Sequence, residues 1–203
     1  AGIASSASAY SALALCLTSI EDLLYQDLED DDLYRSKTSF LARLGSGSAC
    51  RSIYAEAAWW GSSEDLAGSS DDYAIGLSDV LHDAYLDMHD AIVIVSSDEK
   101  SVSSSRGHEL MSAHPYRENR VRQATTHARH MLLALQTGDL DAFGSILERE
   151  ALAIHGLMIS SYPGYFLLNG QTITLIDSLR AFREDTKVPV YFTLDAGPNL
   201  HIL

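Results

Sequence analysis

Apolar residues near the start of the chain recur with a helical period. Over residues 5–28, Ala12, Leu13, Cys16, Leu17, Ile20, Leu23 and Leu24 fall on one side, which predicts an amphipathic helix with that stripe turned to the core. A second helix is predicted over 33–44, capped by the aspartates before it and stopped by Gly45. IYAEAAWW (53–60) reads as a strand, GSSEDLAGSSDD (61–72) as a polar loop, and AIVIV (91–95) as a buried strand. Helices follow near 105–113, over 117–136 and over 139–160. The second of these carries Val121, Ala124, Ala128, Met131, Leu132 and Leu135 on one face; the third carries Phe143, Ile146, Leu147, Ile154, Leu157 and Met158. A further helix spans 172–185, and VPVYFTL (188–194) reads as a central strand running into DAGPN (195–199). Strands mixed with long helices, without strict alternation, predict an α+β fold. A boundary near 82–90 divides residues 1–86 from residues 87–203.

Charge narrows the partners. The chain has 203 residues, with 28 acids against 14 lysines and arginines and a formal net charge of −14. Such a field repels nucleic acid and anionic membrane, but not a small anion met by locally concentrated basic groups. Lys100, Arg106, Arg117, Arg120, Arg122 and Arg129 lie close together in sequence. The acidic run DLEDDD (27–32) reads as solvated surface and helix cap. Two cysteines, Cys16 and Cys50, make no disulfide framework and read as packing residues, so a reducing, cytoplasmic setting is expected. The longest uninterrupted apolar runs, YSALALCL (10–17) and AIVIV, are too short to span a bilayer, and no basic leader precedes them.

Three segments carry candidate chemistry. GIASSAS (2–8) places a glycine and serines where a long helix begins, so unpaired N–H groups and hydroxyls can hold phosphate; taken alone, the residues favour a plain N-cap in a small-residue packing contact. GSGSACRS (45–52) joins two flexible glycines to Ser46, Ser48 and Arg51, a set suited to an oxyanion, against the alternative of a helix-ending loop with a surface arginine. In DAGPN, Asp195 at the mouth of a buried strand would be partly desolvated and fit to orient or deprotonate a hydroxyl; it can also simply start a turn. The loop DEKSVSSSRG (98–107) offers Lys100, Ser103, Ser104, Ser105 and Arg106 to an anion, or is a solvated loop. His127 and His130 lie one helical turn apart without a carboxylate or cysteine partner at metal-binding spacing, and His155 reads as a core histidine.

Together these segments resemble one family. GIASSAS is similar to the phosphate loop of the GHMP kinase superfamily. RLGSGSACRS (43–52), FTLDAGPN (192–199) and KSVSSSRGHELM (100–111) resemble the mevalonate diphosphate decarboxylases within it, most closely the form found in Bacteroidetes-type bacteria. The resemblance implies a two-lobed GHMP kinase fold: an N-terminal lobe like ribosomal protein S5 domain 2, here truncated, and a ferredoxin-like C-terminal lobe, with the active site between them. It implies ATP-dependent decarboxylation of mevalonate 5-diphosphate in isoprenoid biosynthesis, with ATP and Mg2+ required, Mg2+ carried with ATP, and a homodimer of the kind common in the family. Carried over by position, Gly2, Ser5, Ser6 and Ser104 would hold ATP phosphates. Ser46, Ser48 and Ser104 would contact the substrate, chiefly its diphosphate, Arg51 its carboxylate, and Asp195 its tertiary hydroxyl. Competing readings are a sister mevalonate-type kinase that does not decarboxylate, and a silent fragment. The chain starts at AGIASS and stops at LHIL, so the family's first strands and last helices are expected to be missing, leaving apolar surface where a sheet would pack.

Overall fold

The computed structural model describes residues 5–25, 30–96 and 104–203. They form two compact units, one ending at Leu81 and the other beginning at His82. The N-terminal unit holds helices α1 (Ser5–Tyr25) and α2 (Asp31–Gly45), a 3-10 helix (Gly47–Ile53) and a hairpin of β1 (Ala58–Trp60) with β2 (Ala74–Gly76). The acidic run does cap a helix: extended Asp30 accepts the Asp32 N–H through its carboxylate at 2.8 Å, with Asp31 and Asp32 at the positive helix end. The expected strand at 53–60 shrinks to β1, because the 3-10 helix runs on through Ile53.

α1 reverses the face predicted for it. Ala7, Ser11, Ala14 and Thr18 are buried, whereas Leu13 (53%), Leu17 (51%), Ile20 (54%) and Leu24 (69%) are exposed. The physical reason is close approach: Ala7 and Ala14 pack against Ala42 of α2 and Ala49 of the 3-10 helix, where a leucine would not fit. The buried hydroxyls cost little, since Ser11 donates to the Ser8 carbonyl and Thr18 to the Ala14 carbonyl, both at 3.0 Å. Exposed apolar surface is thus present on this helix. Residues 6–25 are also long and apolar enough to cross a bilayer by length and composition, which the shorter uninterrupted runs did not suggest; core helices and leader sequences pass the same test.

Ser39 locks this unit together. Fully buried on α2, its hydroxyl donates to the Cys50 carbonyl at 2.9 Å and accepts the Ala74 N–H at 2.8 Å. One side chain therefore fixes the 3-10 helix and β2 to α2.

In the C-terminal unit, β3 (Ala91–Val93) is followed by α3 (Ser104–Ser112), α4 (Arg117–Thr137), α5 (Leu140–Ser160) and α6 (Gly170–Thr186), then β4 (Phe192–Leu194) and β5 (Leu200–Ile202). The sheet has the order β3-β5-β4, antiparallel throughout. This corrects two expectations. The central strand is β5, with Leu200 opposite both Val93 and Leu194, so β4 lies at an edge. β3 is the other edge, and Ile92 and Ile94 are exposed rather than buried. The core gathers Ala151 of α5, Ile176 of α6 and Phe192, Leu194 and Leu200 of the sheet. The faces expected of the two long helices are buried or half-buried except at Val121 of α4, which is exposed, and α5 buries Glu148 and His155 as well as Phe143, Ile146 and Met158. Arg183 and Arg180 pair with the buried Glu148 carboxylate.

Replacing Ser39 with alanine should strand the Ala74 N–H and leave the Cys50 carbonyl short of a donor. The expected loss is about 1–3 kcal/mol, read as a lower urea midpoint at unchanged slope. A midpoint equal to wild type would contradict this role.

Candidate functional site

Two motifs distant in sequence meet in the N-terminal unit. Ser6 stands in the first turn of α1, where the leading N–H groups lack intrahelical partners and the helix dipole is positive. Its hydroxyl oxygen lies 3.4 Å from that of Ser46, forty residues away. Ser46 is the hinge between α2 and the 3-10 helix: its N–H donates to the Ala42 carbonyl at 3.1 Å and its carbonyl accepts the Ala49 N–H at 2.9 Å. Its backbone is thus bound on both sides, which fixes where its side chain starts. Ser48 is half-buried and Arg51 exposed on the same 3-10 helix. Ser5 begins α1, but its side chain and all of Gly2 lie outside the described residues.

The glycines of this segment leave room for aromatic neighbours. A Cβ on Gly45 would lie 2.0 Å from the Tyr10 ring, and one on Gly47 would lie 3.0 Å from the Trp60 ring. Both sites are filled by aromatic side chains. Cys50 is a packing residue as expected: fully buried, its thiol donates to the Gly47 carbonyl, and burial raises its pKa despite the lowering effect of Arg51. Cys16, by contrast, is exposed.

In the C-terminal unit, Asp195 opens the turn between β4 and β5. The Asp195 residue is exposed, so the partial desolvation expected of it is not found; its backbone is what the fold restrains. Three buried side chains close the turn. His155 Nε2–H donates to the Asp195 carbonyl at 3.1 Å, and Thr172 donates to the Pro198 carbonyl at 2.8 Å. Asn199 Oδ1 accepts the N–H groups of Val95 at 2.8 Å and Ser96 at 3.1 Å, tying the exit of β3 to the same turn. Thr172 is itself placed by the α6 cap, where Asn169 accepts its N–H at 3.0 Å. His155, expected only as a core histidine, is thus a satisfied one with a specific partner. Its burial holds its pKa below the usual 6.5, so it is neutral, and the bond to Asp195 requires the proton on Nε2. Asn199 and Thr172 went unnoticed in the sequence. The signal for Asn199 was its place after Gly-Pro; nothing local marked Thr172.

Ser104 starts α3, with its side chain outside the described residues, as are Lys100, Ser103 and the side chains of Ser105 and Arg106. Of the basic residues near one another in sequence, Arg120 is committed to Glu150, two bonds at 3.2 and 2.6 Å, and His127 Nδ1 engages the same carboxylate. His130 is exposed while His127 is buried, so the two do not share a ligand position. Among the described residues no group of three His, Cys, Asp or Glu side chains gathers to hold a metal.

Comparison with known proteins bears on both units. A model of the diphosphomevalonate decarboxylase-like N-terminal domain matches residues 1–74, and one of the mevalonate 5-diphosphate decarboxylase C-terminal domain matches residues 91–203. The diphosphomevalonate decarboxylase of Eremothecium gossypii is 32% identical over 205 residues, covering 98% of this chain and 48% of that protein. The chain spans about half the length of the curated relatives it matches. A mevalonate diphosphate decarboxylase from Legionella pneumophila superposes with a TM-score of 0.80 at 29% identity, over 98% of this chain and 58% of that one. A second structure, MDDEF in complex with MVAPP, AMPPCP and magnesium, gives 0.75 at 27% identity, over 99% and 57%. The fold is accordingly the α+β fold of the GHMP kinases.

The histidine at the turn has a pH signature. Unfolded His155 takes a proton below its ordinary value of 6.5, while the folded form resists protonation until lower pH. Stability is therefore complete above that value and falls as the pH drops below it. In His155→Gln this part of the slope should vanish, seen in urea midpoints measured across the range; identical slopes for both proteins would contradict it.

Proposed function

The chain belongs to the diphosphomevalonate decarboxylase family, and from that membership we propose that the whole protein converts mevalonate 5-diphosphate and ATP, with Mg2+, to isopentenyl diphosphate, CO2, ADP and phosphate. The observation that carries the proposal is the 3.4 Å approach of Ser6 to Ser46. Those two hydroxyls are assigned to different ligands, the ATP phosphates and the substrate diphosphate. Phosphoryl transfer needs the two ligands to abut, and adjoining serines supply that adjacency.

The chemistry assigns each residue a task. The α1 N-terminus, with Gly2, Ser5 and Ser6, holds the ATP phosphates through N–H groups and hydroxyls. Mg2+ would enter with ATP and neutralise phosphate charge. Ser46 and Ser48 grip the substrate diphosphate, and Ser104 contacts phosphate. Asp195 accepts the proton of the tertiary 3-hydroxyl as that oxygen attacks the γ-phosphorus and ADP departs. The C3–O bond then breaks, its electron pair leaving with phosphate. The C1–C2 bond breaks next, its electrons forming the C2–C3 double bond as CO2 is released. Arg51 positions the substrate carboxylate through its planar fork and must not bind its electrons too tightly.

The test supplies the full-length protein with mevalonate diphosphate and Mg-ATP and measures ADP and CO2 together. Equal amounts of each are expected; ADP without CO2 would make it a kinase, and neither product would make it catalytically silent. Asp195→Ala should lower kcat by about 10²–10⁴-fold while a fluorescent ATP analogue still binds. Turnover equal to wild type in that variant would remove Asp195 from the mechanism.

A further inference from the structure

We infer that His155, on the inner face of α5, is a positioning residue for the reaction: through the hydrogen bond from its Nε2–H to the Asp195 carbonyl it sets the direction in which the Asp195 carboxylate points. The inference rests on the role proposed above for Asp195 as the base at the 3-hydroxyl.

His155 is only 2% exposed and shares its face of α5 with Ala151 and Met158. An aliphatic side chain would fill such a position without the cost of burying two ring nitrogens. The imidazole is instead aimed at one acceptor 3.1 Å away, and that acceptor belongs to Asp195 itself, forty residues on. Among the described residues no hydrogen bond is made to the Asp195 carboxylate. The position and direction of its Cα–Cβ bond, from which the carboxylate swings, are set by the backbone, and the backbone is tilted or held by whatever binds its peptide group.

Two donors meet that carbonyl. The Gly197 N–H, at 2.7 Å, closes the local turn and moves with it. His155 is the donor from outside the turn, rooted in a helix packed against β4 and the core. Thr172 and Asn199 fix the far end of the turn, at Pro198 and at the β3 exit. Remove the imidazole donor and the far end stays tied, while the Asp195 peptide keeps only the Gly197 bond, which shifts with the turn itself. A catalytic group displaced by about 1 Å can lose on the order of 100-fold in rate.

The test uses the full-length enzyme with three residues at position 155. His155→Leu fills the space without a donor; His155→Gln puts an amide N–H close to where Nε2 stood. The expected result is that His155→Leu, folded by circular dichroism and thermal melting, loses about 10- to 100-fold in kcat with KM for mevalonate diphosphate nearly unchanged, and that His155→Gln recovers most of the loss. A folded His155→Leu with wild-type kcat overturns the inference, as does a kcat loss that Gln fails to relieve. A second readout is independent of turnover. Nitrogen NMR of the wild-type imidazole should find the proton on Nε2, and the Ala196 amide, whose peptide includes the Asp195 carbonyl, should shift in His155→Leu and much less in His155→Gln. A proton on Nδ1, or an unmoved Ala196 amide, refutes the brace. Lack of turnover by the wild type would instead refute the decarboxylase reading, with the brace still decided by the two NMR observations.

Discussion

Between β4 and β5 the chain reverses over Asp195–Asn199 deep enough that its carbonyls cannot all turn to water. His155, Thr172 and Asn199, each nearly or wholly buried, make the bonds that water would otherwise make. An unsatisfied group at any of these places would cost about 1–3 kcal/mol, and the penalty binds separate elements to one turn. α5 is held through His155, α6 through Thr172, and the end of β3 through Asn199. The central place of β5 follows, because the strand leaving this turn is the one that pairs with both β4 and β3. A turn restrained from three sides can present an exposed carboxylate on a fixed backbone, a combination that neither a buried aspartate nor a loose loop provides.

The N-terminal unit solves a different problem with smaller side chains. Its helices approach through alanine, serine and threonine, so the backbone of the 3-10 helix comes close enough for Ser39 to bond it directly to α2 and β2. The same closeness brings the first turn of α1 to Ser46. Gly45 and Gly47 belong to this packing: Tyr10 and Trp60 occupy the space beside them, and the chemistry of the segment is left to Ser46, Ser48 and Arg51. Close packing and anion recognition thus draw on the same residue types within one segment.

Much of the helical framework was legible in the sequence, because caps and breakers act locally: Asp30 caps α2, and Gly138, at φ 74°, ends α4. The faces were less legible. A leucine stripe marks one side of α1, yet the side that matters is chosen by how near its neighbours come, and that is a tertiary fact. β5 escaped notice since three residues, LHI, carry too little pattern to read, and its centrality depends on partners far away in the chain. At the candidate site, residue types and motif resemblance drew attention to Ser6, Ser46, Ser48, Arg51 and Asp195, and the fold brings Ser6 beside Ser46. His155 could not be joined to Asp195 from sequence, because nothing in a helix at 140–160 states which carbonyl its inner face will meet.

In the proposed reaction the oxygen of the substrate's tertiary hydroxyl first becomes a phosphate ester and then leaves on the phosphorus. The direct measurement is the fate of that oxygen when mevalonate 5-diphosphate, labelled with heavy oxygen at the 3-hydroxyl, is turned over by the full-length protein with Mg-ATP. The account predicts the heavy atom in the released inorganic phosphate, one per CO2 formed. Heavy water in its place, with unlabelled phosphate, would mean that the hydroxyl leaves without being phosphorylated and would contradict the roles given to Asp195 and to the paired serines.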